Sequence, residues 1–223
     1  YFERLCKQYP NALITLLSTP QTGTWLGASP ELLVKVDSNL VFHTVALAGT
    51  QRYEPGTDLR QISWTQKDIE EQALVSRYII SCFKKIRLRE YEEYGPKTAQ
   101  AGNLLHLKTE YRADMTATGF PTLGSIMVEL LHPTSAVCGM PLDKAKQFLA
   151  KEEGYNRQLY TGYWGPVNIG QEINLFVNLR CMQLFPFQAV LYAGAGVTTD
   201  SVPQKEWEET EIKMGTLLRV MQM

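Results

Sequence analysis

Apolar and polar positions alternate with period two in four short runs near the start of the chain, 12–18, 24–28, 32–36 and 40–47. Alternation puts every second side chain on one face, so each run reads as a strand. Pro20-Gln21-Thr22-Gly23 and Asp37-Ser38-Asn39 punctuate them as turns, which predicts an antiparallel meander. Ahead of these strands Phe2, Leu5, Cys6 and Tyr9 fall at helical spacing and stop at Pro10. A helical period then covers 65–88, followed by a strand from Asn103 to Tyr111, a helix over 122–131, and a helix opened by Pro141. The run 173–184 reads as one strand and 188–192 as the next. The last helix is expected over 202–221, with Ser201 as N-cap and Pro203 tolerated in its first turn. No repeat, low-complexity tract or Gly/Ser linker interrupts the order, so one α+β domain over 1–223 is predicted.

Two of these helices carry acids where an apolar side chain is expected. At about 100° per residue, with Ile69 at zero, Val75, Tyr78, Ile79, Cys82, Phe83 and Ile86 span about 180° to about 320°. Glu71 falls at about 200°, inside that face, while Glu70 at about 100° lies outside it. A carboxylate there is costly to bury unless it is paired, protonated or metal-bound; a boundary carboxylate that reaches water or an Arg is the plainer reading. In the final helix Trp207, Met214, Leu218 and Met221 cluster within about 40°, predicting a core stripe. Glu206, Glu209 and Lys213 form a separate face at about 200° to about 260°. That face reads either as a solvated i,i+4 pair or, with Glu71, as a site for a hard cation held by carboxylates from two helices.

Composition narrows the function classes. The 223 residues are 44% hydrophobic, enough for a real core, and 22 basic residues balance 23 acidic ones. Nothing advertises a nucleic-acid or acidic-membrane partner, so an anionic ligand would be met by a few donors in a pocket. No apolar run approaches the roughly 18 residues of a membrane span, and no signal peptide opens the chain. Cys6, Cys82, Cys138 and Cys181 are scattered, as in reduced thiols of a cytoplasmic protein. The first residue is Tyr1 rather than Met, which suggests a piece of a longer protein.

Several residues suit anion recognition, each with a plainer alternative. Gly194-Ala195-Gly196 lets backbone N–H groups approach a carboxylate closely, or is simply a tight turn. Arg180 lies in the apolar run Phe176-Val177-Asn178-Leu179-Arg180-Cys181, an odd place for a guanidinium unless it forks onto an acid or the strand is an edge. His132-Pro133-Thr134 opens an irregular loop to Gly139-Met140-Pro141, and His106 lies in a strand, where a hydrogen-bonded core histidine is the ordinary reading.

These features fall in an order that resembles the chorismate-utilising enzymes: isochorismate, anthranilate, aminodeoxychorismate and salicylate synthases. The matching segments are Gly27-Ala28-Ser29-Pro30-Glu31, Ala46-Leu47-Ala48-Gly49-Thr50, Lys67-Asp68-Ile69-Glu70-Glu71, Leu131-His132-Pro133-Thr134, 157–162, Asn178-Leu179-Arg180, Gly194-Ala195-Gly196 and 206–213. The resemblance implies two stacked antiparallel sheets flanked by helices, with the N-terminal part of that fold missing. It implies Glu71 and Glu209 as Mg²⁺ ligands with Glu206 nearby. Arg180, Lys213 and the Gly194 backbone would be donors to substrate carboxylates. Gly49, Thr50, His106 and His132 would line the pocket, and Tyr160 and Arg157 would meet the side-chain carboxylate. Glu31 would be the general acid, a role that needs a carboxyl protonated near neutral pH.

The loop from His132 to Pro141 is similar to that of isochorismate synthases, whereas the ammonia-using members resemble P-A-G-T-L-S-G-A-P-K. Water would then attack C2 of chorismate as the C4 hydroxyl leaves, in a full-length enzyme acting as a monomer. The family's lysine base precedes the Ser-Pro-Glu motif on a strand; here only Lys7, in a short helix, precedes Glu31, so the base is expected to be missing. The alternatives are another chorismate enzyme or a non-catalytic module that binds chorismate-like diacids.

Overall fold

In a computed structural model, which describes residues 1–101 and 104–222, the chain folds into two antiparallel sheets with helices against them. A four-stranded sheet, in the order β1-β2-β10-β11, is built from Leu13–Thr19, Gly23–Ser29, Cys181–Leu184 and Ala189–Tyr192. The larger sheet follows the order β5-β6-β4-β3-β9-β7: Glu92–Ala101, Leu104–Asp114, Val41–Arg52, Leu32–Val36, Glu172–Val177 and Tyr163–Trp164, with β8 (Val167–Ile169) also paired to β9. The helices are α1 (Phe2–Gln8), α2 (Gln66–Lys85), α3 (Leu123–Leu131), α4 (Ser135–Cys138), α5 (Leu142–Glu152) and α6 (Pro203–Met221).

Local chemistry explains most boundaries. Thr65 and Asp68 form a reciprocal capping box at the start of α2, each side chain bonding the other's backbone N–H. Val75, Tyr78, Ile79, Cys82 and Phe83 then bury one face of α2 against Phe42, Ala46 and Tyr111 of the larger sheet, and Met127 and Leu131 of α3 join the same core. The smaller sheet has its own core, where Leu26, Ala28 and Met182 meet Leu5 and Tyr9 near α1 and Leu217 and Val220 of α6.

Four expectations fail for identifiable reasons. The meander is split: β1 pairs with β2 and β3 with β4, but β2 and β3 belong to different sheets, because the chain crosses between sheets at Pro30. The run 173–184 is two strands, β9 and β10, separated at Asn178-Leu179-Arg180, where Arg180 takes a left-handed backbone (φ 48°). The stripe of Trp207 and Leu218 faces solvent, and the inward face of α6 is the one holding Glu206, Thr216, Leu217 and Val220. Val202, not Ser201, is the N-cap of α6, since the Ser201 hydroxyl is taken by the Thr198 N–H. Strand β5, charged and interrupted by Gly95-Pro96, shows no period-two alternation in the sequence; its register slips at those residues. The expected strand start at Asn103 lies outside the described residues.

Candidate active site

The two places where the chain passes from one sheet to the other are stitched together. Ala28 N–H donates to the Arg180 carbonyl at 3.1 Å, Ser29 Oγ to the Leu179 carbonyl at 2.9 Å, and Val177 N–H to the Glu31 carbonyl at 3.0 Å. The first crossing carries Glu31 and the second carries Arg180. A turn over 157–162 docks on the same seam, where Asn178 Nδ2 donates to the Leu159 carbonyl and the Thr161 N–H donates to the Asn178 carbonyl.

Glu31 is 7% exposed and lines a cavity of about 10 Å³ together with Leu33, Val75, Tyr78, Ile79 and Leu131. Burial pushes its pKa from 4.5 up to about 7, against the opposing pull of the Lys213 and Arg180 charges. The Thr134 hydroxyl faces the carboxyl without the geometry of a full hydrogen bond.

Arg180 is 7% exposed and donates one side-chain hydrogen bond, Nη2 to His106 Nε2 at 2.9 Å. Among the described residues no carboxylate lies within 4.0 Å of its guanidinium. Burial brings its pKa down to about 10, so it remains a cation at neutral pH. His106, 4% exposed, is held to about 3, first by burial and then by the Arg180 charge, and so is neutral; its Nδ1 lies 2.7 Å from the Gly49 carbonyl. Gly49 and Thr50 form an irregularity in β4, where the register shifts between Ala48 and Gln51. Gly49 has φ 69°, and a Cβ there would stand 2.9 Å from the Trp64 ring, so this position requires glycine.

The acids of α2 and α6 meet beside this seam. Lys67 Nζ lies 2.7 Å from Glu206 Oε1 and 3.2 Å from Glu71 Oε1, while Lys213 Nζ pairs with Glu209 at 2.7 Å and donates to the Gly194 carbonyl at 2.8 Å. Burial raises the pKa of Glu71 in spite of Lys67. Glu70 is exposed, as its place on the helical wheel required. Gly196 lets the Glu71 carboxylate in: a Cβ on Gly196 would stand 2.9 Å from Glu71 Oε1. The role of Lys67 is not apparent from the apolar pattern, although its i,i+4 spacing from Glu71 is the signal that would have found it.

Among the described residues, no three His, Cys, Asp or Glu groups are gathered closely enough to hold a metal as they stand, because Lys67 lies between Glu71 and Glu206 and Lys213 holds Glu209. The donor set nevertheless suits a hard cation: Glu206 Oε2 is a buried oxygen with no hydrogen bond, and buried Glu71 Oε1 meets only the Lys67 ammonium.

The remaining expected residues divide. Tyr160 is buried, its ring stacked on Tyr192 at 5.3 Å, and Tyr192 stacks in turn on Trp25 at 5.3 Å. Its hydroxyl is so close to Gly194 that a Cβ there would stand 2.8 Å away, which joins it to the Lys213 end of the site. Arg157 is committed to the protein, with Nε on both oxygens of Glu153 and Nη1 on the Val137 carbonyl. His132 Nε2 lies 2.8 Å from the Thr161 carbonyl, so it braces the 157–162 turn. Lys213 likewise spends donors on Glu209 and Gly194.

A family model described as "Chorismate binding enzyme" matches residues 1–222. The chain is 30% identical over 223 residues to the isochorismate synthase EntC of Escherichia coli K12, covering 98% of this chain and 56% of that protein. It is 31% identical over 203 residues to the isochorismate synthase DhbC of Bacillus subtilis, covering 89% and 50%. Among solved structures, the menaquinone-specific isochorismate synthase MenF of Escherichia coli aligns with a TM-score of 0.70 at 28% identity, covering 87% of this chain and 45% of that one. A putative 2,3-dihydroxybenzoate-specific isochorismate synthase of Bacillus anthracis shares the fold at a TM-score of 0.76 and 24% identity. The chain thus spans about half the length of the curated relatives it matches.

Proposed function

The chain belongs to the chorismate-binding enzyme family, and we propose from that premise that it is the acid- and carboxylate-binding portion of a magnesium-dependent isochorismate synthase. The substrate class implied by the family is a small molecule, chorismate, and no helix among the described residues is long and apolar enough to cross a membrane. The observation that carries the proposal is the buried Arg180 guanidinium, which among the described residues has no ion-pair partner. A buried charge without an ion-pair partner costs several kcal/mol, so such a group calls for an anionic ligand. A substrate carboxylate supplies it, with the fork of N–H donors not used by His106.

Glu31 supports the chemistry. A carboxyl that titrates at about 7 is half protonated near neutral pH, suited to give a proton to a departing hydroxyl and take one back. Burial keeps water from competing for that proton. Arg180 and the Lys213 end of the site would hold the diacid's carboxylates, and Tyr160 would close the wall between them. Glu71, Glu206 and Glu209 would hold Mg²⁺, which when bound supplies positive charge to a ring carboxylate. Lys67 would have to leave its place between the two acids for that to happen.

The experiment is to incubate the full-length protein with chorismate, Mg²⁺ and ammonia and to identify the product. Isochorismate is expected, and anthranilate, aminodeoxychorismate or salicylate would refute the choice within the family. Binding without product would assign the chain to a ligand-binding module instead. Glu71→Gln should abolish Mg²⁺-dependent turnover; unchanged magnesium dependence would refute its role as a ligand.

A further inference from the structure

The His106–Arg180 contact has only one consistent arrangement of protons. A guanidinium has N–H donors and no acceptor, so His106 Nε2, 2.9 Å from Arg180 Nη2, must be the unprotonated nitrogen. A carbonyl only accepts, so His106 Nδ1, 2.7 Å from the Gly49 oxygen, must carry the proton. Both partners are buried. The charges facing the ring are those of Arg180 and Lys213, both cations, and neither favours an imidazolium.

We infer that His106 is a positioning residue: a neutral imidazole, fixed in the Nδ1–H form by the Gly49 carbonyl, that aims the Arg180 guanidinium at a substrate carboxylate. This rests on the reading that Arg180 receives that carboxylate. The imidazole has no proton at Nε2 to give to substrate, so it is not a donor in the pocket. The arrangement also explains two backbone irregularities. The turn at Gly49, with φ 69°, directs a carbonyl at His106 that would otherwise remain in the β4–β6 ladder. The left-handed residue Arg180 turns its side chain to the larger sheet while its carbonyl stays bonded to Ala28 in the smaller one. A glycine turn and one strained left-handed residue thus converge on one hydrogen-bonded chain, from Gly49 through His106 to Arg180.

Nitrogen-15 NMR of the imidazole rings tests the proton arrangement directly. The expected result is one histidine in the Nδ1–H form that stays neutral from pH 8 down to pH 5. A His106 in the Nε2–H form, or charged at pH 6, would overturn the inference. The positioning role is read from His106→Leu and His106→Gln in the full-length enzyme. Leucine offers Arg180 no acceptor, so KM for chorismate should rise on the order of tenfold with kcat changed less, as for a lost charge-assisted hydrogen bond. Glutamine places a carbonyl near the Nε2 position and should recover most of that loss. Equal KM values in the His106→Leu variant and the wild-type enzyme would sink the positioning role. If the leucine variant fails to fold, the ring NMR and the glutamine variant still decide, and a glutamine variant whose KM rises as far as expected for leucine counts against the role. If wild-type enzyme does not turn over chorismate, the proposed function falls, and the NMR result still judges the contact.

Discussion

Replacing Glu31 with glutamine should make the protein more stable at alkaline pH and less active. The Glu31 carboxyl, buried beside an apolar cavity, binds its proton more tightly in the folded state than in the unfolded chain, where its pKa is the ordinary 4.5. Between that value and about 7 the folded protein keeps a proton that the unfolded chain has released, so stability falls as pH rises through this window. The distance between the two values corresponds to about 3 kcal/mol. Glutamine is nearly the same shape and does not ionise. The stability difference, variant over wild type, should therefore grow by about 2.5 kcal/mol between about pH 5 and pH 8, or roughly 5–10 °C of melting temperature for a domain of this size. Melting curves at the two pH values measure it, and chorismate turnover should fall by roughly 10²–10⁴-fold in the same variant. A melting-temperature difference that is the same at both pH values would refute the claim that burial holds this carboxyl protonated.

Two further predictions concern the acids of α2 and α6. Gly196→Ala puts a methyl 2.9 Å from Glu71 Oε1, the free end of a side chain rather than backbone, so the carboxylate moves while the fold does not. Mg²⁺ binding by titration calorimetry should weaken on the order of tenfold, with the melting temperature little changed; intact binding would show that Glu71 is not a ligand. Lys67→Gln removes the cation now lying between Glu71 and Glu206, so Mg²⁺ should bind on the order of tenfold more tightly and the metal-free protein should melt lower; weaker or equal Mg²⁺ binding would refute the idea that Lys67 competes for these acids.

The sequence was informative wherever a local rule acts on its own. Period two located β3 at residues 32–36, and the helical period located α2, whose capping box is written in Thr65 and Asp68. The same period separated inward Glu71 from outward Glu70. It also grouped Glu206, Glu209 and Lys213 on one face of α6, but it assigned the core to the opposite stripe. Trp207 is 59% exposed and Glu206 only 8%, because the face of α6 that meets β2 is the one that lines the site. A helical wheel reports which residues share a face and carries no information about which face finds a partner.

What the sequence alone determined is most of the helices and strands, and which acids share a helix face, since spacing and turn chemistry are local. Only the tertiary structure decided that Glu31 and Arg180 belong together. They sit at two crossings between sheets, tied by hydrogen bonds such as Ser29 to Leu179 that span 150 residues of chain. That tie breaks an apolar run into β9 and β10, turns Arg180 left-handed, and buries it against His106 with no ion-pair partner among the described residues. No rule of local periodicity reaches that far, because the energy that holds the break is supplied by residues distant along the chain.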